Sequence, residues 1–194
     1  MAINLRKGER INLSSDSNRV NGIIVGLGWD VARYDGAAVS KKKSDIDCDA
    51  SAILCGYDNI AFDVICFGKS RGENDSIVYA GDSRTGMGDG DDERIYINFT
   101  KLPSNIGKIV VAANIYDARA KRQHFGMIDN AYVRVLNWKT GEEICRYNLT
   151  DNYSNMTGII VAEIIRSGSG WDFVPSGKAV AEASRIQSIV RLYR

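Results

Sequence analysis

The stretch Tyr132-Val-Arg-Val-Leu-Asn-Trp-Lys-Thr-Gly-Glu-Glu-Ile-Cys-Arg-Tyr-Asn148 decides the fold class. Its first half alternates along Tyr132-Val-Arg134-Val-Leu136-Asn, the period of a strand with one wet and one dry face. Asn137-Trp-Lys-Thr-Gly-Glu142 then supplies a short hairpin turn with Gly near its end, and Glu142–Asn148 returns as a second strand. The same grammar extends outward in both directions. Short runs rich in Ile and Val recur about every ten residues, broken by Gly, Asp and Asn. They predict strands over Ile11–Leu13, Val20–Trp29, Ile46–Leu54, Phe62–Phe67, Ile77–Ala80, Glu93–Phe99, Ile109–Tyr116, Gly158–Arg166 and Trp171–Val174, in addition to the quoted pair. Parallel α/β sheets need helical crossovers of ten or more residues between strands. Only two segments have helical spacing: Asp117–Phe125, and Ala179–Tyr193 with Val180, Ala183, Ile186, Ile189 and Val190 in step. The expectation is a mainly all-β chain: a two-sheet β-sandwich with a short inserted helix and a C-terminal helix. No Pro-rich, Ser-rich or low-complexity linker divides it, so residues 1–194 read as one domain with 176–194 as a helical tail.

Composition agrees with a soluble domain. The chain has 194 residues, 44% of them apolar and 25% charged, enough to bury a core without staples. Twenty-five basic and 24 acidic residues leave a net charge of +1, which argues against nucleic-acid binding through clustered Lys and Arg. The N-terminus lacks the basic, apolar and small-residue order of a secretory signal, and the expected compartment is the cytoplasm. Cys48, Cys55, Cys66 and Cys145 form no CxxC pair and read as buried small hydrophobes in a reducing compartment.

Motifs of catalysis fail on context. The only histidine, His124, cannot build a zinc site with the scattered cysteines and reads as structural. Gly68-Lys-Ser70-Arg-Gly72 has the GxSxG form, and the strand that must precede it, but lacks the helix that must follow. The same Gly-Lys-Ser has Asp63 where a P-loop needs its first Gly. Gly26-Leu-Gly28 opens a dinucleotide pattern that Val31 breaks. All three read as turns, and no enzymatic activity is expected.

The balance of charge hides one uneven stretch. Gly81-Asp-Ser-Arg-Thr-Gly-Met-Gly-Asp-Gly-Asp-Asp-Glu93 holds five carboxylates, one Arg and four glycines, a local charge of −4. Such crowding is repulsive without a cation among the acids. Hard oxygens on a Gly-rich loop suit Ca2+, whereas Mg2+ keeps its waters and takes few carboxylates. An EF-hand is excluded: Arg84 and Gly86 occupy ligand positions, Met87 takes the place of the obligatory Gly, and strands flank the run. Partners from other loops are then required. Asp45, Asp47 and Asp49 share one strand face by their spacing of two, and Asp30 follows Gly26-Leu-Gly-Trp29. The bland alternatives are a solvated Asp/Gly-rich hairpin and a wet outward strand face.

In their order and spacing, Gly26-Leu-Gly-Trp-Asp30, Asp47-Cys-Asp-Ala-Ser51 and the acidic run 81–93 resemble the TerD family of tellurium-resistance and general stress proteins. Leu102-Pro103, Ile115-Tyr-Asp117, Phe125-Gly126, Asn130-Ala131, Arg146-Tyr147, Ile3-Asn-Leu-Arg-Lys-Gly8 and Gly170-Trp-Asp-Phe173 are similar too, so the resemblance covers about residues 1–178. It implies a cytoplasmic, non-catalytic β-sandwich acting in stress or tellurite resistance. It also implies two Ca2+ ions held by acidic loops at one end, with other stress or tellurium-resistance proteins as partners. The residues mapped to the metal are Asp30, Asp47, Asp49, Asp82, Thr85, Gly86, Asp89, Asp91, Asp92 and Glu93. An alternative is a calcium-dependent docking module for anionic membranes or a protein partner, for which Lys41-Lys-Lys43 beside the Asp45–Asp49 acids would suit. Ser83 in place of Asn, Cys48 in place of Leu, that lysine run and the basic tail depart from the family pattern without removing a carboxylate.

Overall fold

The computed structural model describes residues 2–14, 20–31, 46–81 and 90–194. The described residues form twelve strands: β1 (Ile3–Asn4), β2 (Ile11–Asn12), β3 (Gly22–Val31), β4 (Cys48–Cys55), β5 (Ala61–Ile65), β6 (Ile77–Tyr79), β7 (Glu93–Asn98), β8 (Lys108–Ile115), β9 (Ile128–Asn137), β10 (Glu143–Asn148), β11 (Gly158–Ser167) and β12 (Gly170–Val180). They make two six-stranded sheets, in the orders β1-β10-β9-β3-β7-β6 and β2-β12-β11-β8-β4-β5. Every pairing is antiparallel except β1 with β10. The mainly β reading therefore holds. Strand β1 has no signature in the sequence because two residues pairing with a strand 142 positions away leave no local period.

Alternation explains the core between the sheets. Ile23, Val25 and Leu27 of β3, Ile95 and Ile97 of β7, and Val133 and Val135 of β9 turn inward. They meet Ala50, Ala52 and Leu54 of β4 with Ile109 and Val111 of β8, and Phe173 closes the layer from β12. Strand β4 is buried on both faces, which is why its sequence is nearly continuous in apolar residues. Its outer residues Ile53 and Cys55 join Val110, Ala112 and Ile160 in a second cluster. Ala183, Ile186, Ile189 and Tyr193 of the C-terminal segment cover that cluster.

The tail is helical over less of its length than its periodicity suggests. Strand β12 continues to Val180, because Lys178, Ala179 and Val180 pair with Ile160, Ile159 and Gly158. The helix α2 spans only Ile186–Val190, followed by a 3-10 turn over Arg191–Tyr193. The inserted helix α1 is likewise short, Ala118–Lys121. Arg122 adopts a left-handed conformation (φ 53°) and ends it, and residues 125–127 form a separate 3-10 turn. At the edge of the second sheet, the Asp63 carboxylate accepts from the Val64 N–H (2.8 Å) and from Lys69 Nζ (2.6 Å). An ion pair along an outer strand is a device that discourages further strand pairing.

The GxSxG segment is a hairpin. Cys66 and Lys69 exchange two backbone hydrogen bonds, both 3.0 Å, across Phe67-Gly68. Ser70 then lies on an antiparallel arm whose carbonyl accepts from the Tyr79 N–H at 2.9 Å. The Gly26-Leu-Gly28 match is corrected: these residues are no turn but the interior of β3. The reason lies in what rests on them.

Candidate metal-binding end of the sandwich

Antiparallel register gathers the candidate residues at one end. Leu27 of β3 pairs with Glu93 at the start of β7, and Asp30 with Asp129 at the start of β9. In the facing sheet, Cys48 opens β4 beside Ile115 at the end of β8. Asp82, Thr85, Gly86 and Asp89 of the acidic run, and Asp45 with Lys41–Lys43, lie outside the described residues. Six candidates are placed: Asp30, Asp47, Asp49, Asp91, Asp92 and Glu93.

The last three residues of the acidic run take three different roles. Glu93 turns inward at the mouth of the core and is 2% exposed. Asp92 continues the ladder onto β3 twice. Its N–H donates to the Leu27 carbonyl (2.8 Å), and its carboxylate accepts from the Trp29 N–H (2.9 Å). Asp91 points to the outer face of the first sheet, where its side chain is fully buried. Arg134 grips it with both arms, Nε to Oδ1 at 2.7 Å and Nη2 to Oδ2 at 3.1 Å. Arg94 Nε adds a contact to Oδ2 at 3.3 Å, and the Tyr132 hydroxyl approaches Oδ1 at 3.2 Å and donates to the Gly90 carbonyl at 2.7 Å.

This arrangement accounts for the two glycines of β3. A Cβ on Gly26 would collide with the Asp91 carboxylate, and one on Gly28 would sit 2.5 Å from the Tyr132 ring. The bare backbone at these positions is a slot for Asp91 and Tyr132. The network runs on across the sheet. Arg134 Nη1 donates to Glu143 (3.1 Å), Arg146 donates to Glu143 through Nε and Nη2 (3.0 and 3.1 Å), and the Arg146 guanidinium stacks 4.1 Å over the Tyr132 ring. The bond from Arg146 is the chief cause holding the Glu143 carboxyl below its ordinary value. Hydrogen bonding to Asp91 in turn raises the Arg134 guanidinium.

Other acids lie near Cys48, at the start of β4. The thiol is 3% exposed, and burial pushes its pKa well above 9.0, with Asp47, Asp49, Glu93 and Asp92 adding negative charge in the same direction. Asp47 and Asp49 flank it, both half-buried. Lys121 Nζ lies 4.0 Å from the Asp47 carboxylate, and Asp49 stands across the β4–β8 ladder from Asn114. Asp30 is exposed and accepts from Asn130 Nδ2 at 2.8 Å. It borders a groove of about 740 Å3 lined by Trp29, Gly90, Asp129, Tyr132 and Arg146 among others. Among the described residues, no three side chains of His, Cys, Asp and Glu are grouped closely enough to hold an ion. Asp91 in particular stands apart from the Cys48 group, on the opposite face of its sheet.

Arg134, Tyr132, Glu143 and Arg146 were not among the candidates read from the sequence. The available signal was the spacing of two between Gly26 and Gly28, which strips one face of a strand, and between Tyr132 and Arg134 on its neighbour. No helix of the described residues is long and apolar enough to cross a membrane.

The fold and its acidic end define a class: a two-sheet β-sandwich in which an Asp/Gly-rich run leads into an inner strand, next to the edge of one sheet. The TerD domain profile matches residues 1–193, and the chain belongs to the TerD family. It is 41% identical over 201 residues to stress response protein SCP2 of Bacillus subtilis (strain 168), with both chains covered in full. It is 38% identical to general stress protein 16U of the same organism, covering 91% of this chain and 90% of that one. Identity to tellurium resistance protein TerD of Serratia marcescens is 35%, over 93% of this chain and 92% of that one. The crystal structure of a TerD homologue from Streptomyces coelicolor A3(2) shares the fold. Its TM-score is 0.65 and its identity 23%, over 84% of this chain and 92% of that one. None of these relatives' names denotes a catalytic activity.

Proposed function

We propose that the chain is a calcium-binding stress-response protein of the tellurium-resistance type, with Ca2+ held at the acidic end of the sandwich. What supports this reading is that Asp92 and Glu93, at the start of β7, and Asp47 and Asp49, around the start of β4, come to the same end of the sandwich, next in sequence to a run that contributes Asp82 and Asp89. Carboxylates brought to one end repel one another, and a bound cation would relieve that repulsion. The donor set suits a hard ion, since every candidate offers oxygen. Cys48, the one soft donor nearby, is buried in the core between the sheets. Glu93 at the start of β7 with Asp92 just before it, Asp47 and Asp49 around the start of β4, Asp30, and Asp82, Thr85, Gly86 and Asp89 of the run are the residues that would hold the ions. Bound Ca2+ would neutralise the cluster and fix the loop against the sheet end.

An ion that binds only the folded state raises stability by RT ln(1 + [L]/Kd), about 2.7 kcal/mol at a hundredfold excess over Kd. Millimolar Ca2+ is therefore expected to raise the melting temperature clearly, and more than Mg2+ does. Calorimetric titration gives stoichiometry and affinity. Replacing Asp82 and Asp89 together by Asn should abolish the shift. A melting curve unchanged by Ca2+ would overturn the proposal.

A further inference from the structure

We infer that Asp91 is a positioning residue for the acidic run rather than a ligand of the ion it holds, and that Arg134 is the post to which it is tied. The inference rests on the calcium reading. Both carboxylate oxygens of Asp91 are committed: Oδ1 to Arg134 Nε and the Tyr132 hydroxyl, Oδ2 to Arg134 Nη2 and Arg94 Nε. The side chain is fully buried in the slot over Gly26, on the outer face of the first sheet. Its neighbours Asp92 and Glu93 turn the other way, to the β3 backbone and to the mouth of the core. Tyr132 fixes the peptide just before it by bonding the Gly90 carbonyl at 2.7 Å. Two side chains of β9 thus pin the last two residues of the run before Asp92, which fixes where the run joins β7. Bidentate Arg–carboxylate pairing supplies direction as well as attraction, and a buried charge that loses its partner is strongly destabilising locally.

The two roles for Asp91 predict opposite effects of removing Arg134. If Asp91 were a ligand, Arg134 would compete with the ion for its oxygens, and Arg134→Gln would leave Ca2+ affinity unchanged or tighter. If Asp91 is the anchor, Arg134→Gln frees the end of the run and weakens Ca2+ binding. Calorimetric titration of CaCl2 into metal-free protein separates them. The expected result is a loss of about tenfold or more in affinity for Arg134→Gln and for Asp91→Asn, the scale of a lost charged hydrogen bond. The double variant should be no weaker than the worse single one. Arg134→Lys should recover part of the loss. Lower stability with an unchanged Kd in the single variants overturns the inference, as does tighter binding in Arg134→Gln. Should Arg134→Gln not fold, Tyr132→Phe deletes only the hydroxyl on the Gly90 carbonyl and Asp91: weaker Ca2+ binding supports the anchor, and unchanged binding overturns it. Wild-type protein that takes up no Ca2+ defeats the functional reading instead. The anchor is then judged in metal-free protein by hydrogen exchange of the Trp29 and Asp92 amides, which Asp91→Asn should accelerate. Unchanged exchange overturns it.

Discussion

Glu143 accepts from both arms of Arg146 and from one arm of Arg134, in a site where its side chain is 22% exposed. The bonds from Arg146 are the largest cause that lowers its carboxyl from the ordinary 4.5, with Arg134 acting in the same direction against partial desolvation. A carboxyl whose folded pKa lies below its unfolded one stabilises the fold above the unfolded value. That contribution is lost as pH falls through the folded value. Glu143→Gln, which keeps the shape and removes the charge, should therefore cost about 1.5–3 kcal/mol near pH 7, the range for hydrogen bonds to charged groups. The gap from wild type should shrink as pH drops below about 4. Urea unfolding of both proteins at pH 7 and pH 3 measures it. A gap that stays constant would show that packing, not charge, sets the contribution of Glu143.

At the scale of elements, the C-terminal segment acts as a lid on the second sheet. Ile189 is fully buried in the outer cluster and lies close over Gly158, where an added Cβ would stand 3.1 Å from its Cδ1. Ile189→Ala should cost about 2–5 kcal/mol through lost transfer energy and an unfilled cavity. Leu192→Ala, in the same segment but half-exposed, should change stability by less than about 0.5 kcal/mol. Chemical denaturation of the pair tests whether the segment is part of the cooperative fold, and equal small effects would exclude it. The periodicity of Val180, Ala183, Ile186 and Ile189 identified residues that do pack in or against one cluster. It could not show that the first of them ends a strand, because the pairing of Val180 with Gly158 is a non-local contact. Strands such as β7 and β9 were legible because each has one wet and one dry face. The outer-face network was not, since a buried Asp91 reads like any loop acid until Gly26 and Arg134 are brought beneath and beside it. The same ambiguity spans the acidic end: a ligand carboxylate and a structural one share a residue type, and only their hydrogen-bond partners tell them apart.

For the molecule as a whole, the near-zero charge counted from side chains describes the metal-free protein. Its +1 combines the −4 run with basic residues spread over the remaining chain. Bound cations are the largest local charges in such a site. Two Ca2+ ions at the acidic end would carry the total from +1 to about +5 without changing a residue. Capillary electrophoresis at pH 7 and low ionic strength, where screening is weak, should then find metal-free protein almost stationary and calcium-loaded protein moving toward the cathode. Equal Mg2+ should move it less, because Mg2+ resists the carboxylate-rich dehydrated site that Ca2+ accepts. The Asp82→Asn, Asp89→Asn variant sharpens the comparison. Losing two negative charges makes it more cationic at rest, while the added step on Ca2+ should vanish. A mobility step of equal size in that variant would place the ions elsewhere on the surface. Identical mobility of the wild type with and without Ca2+ would mean that the carboxylates of the acidic end are balanced from within the chain.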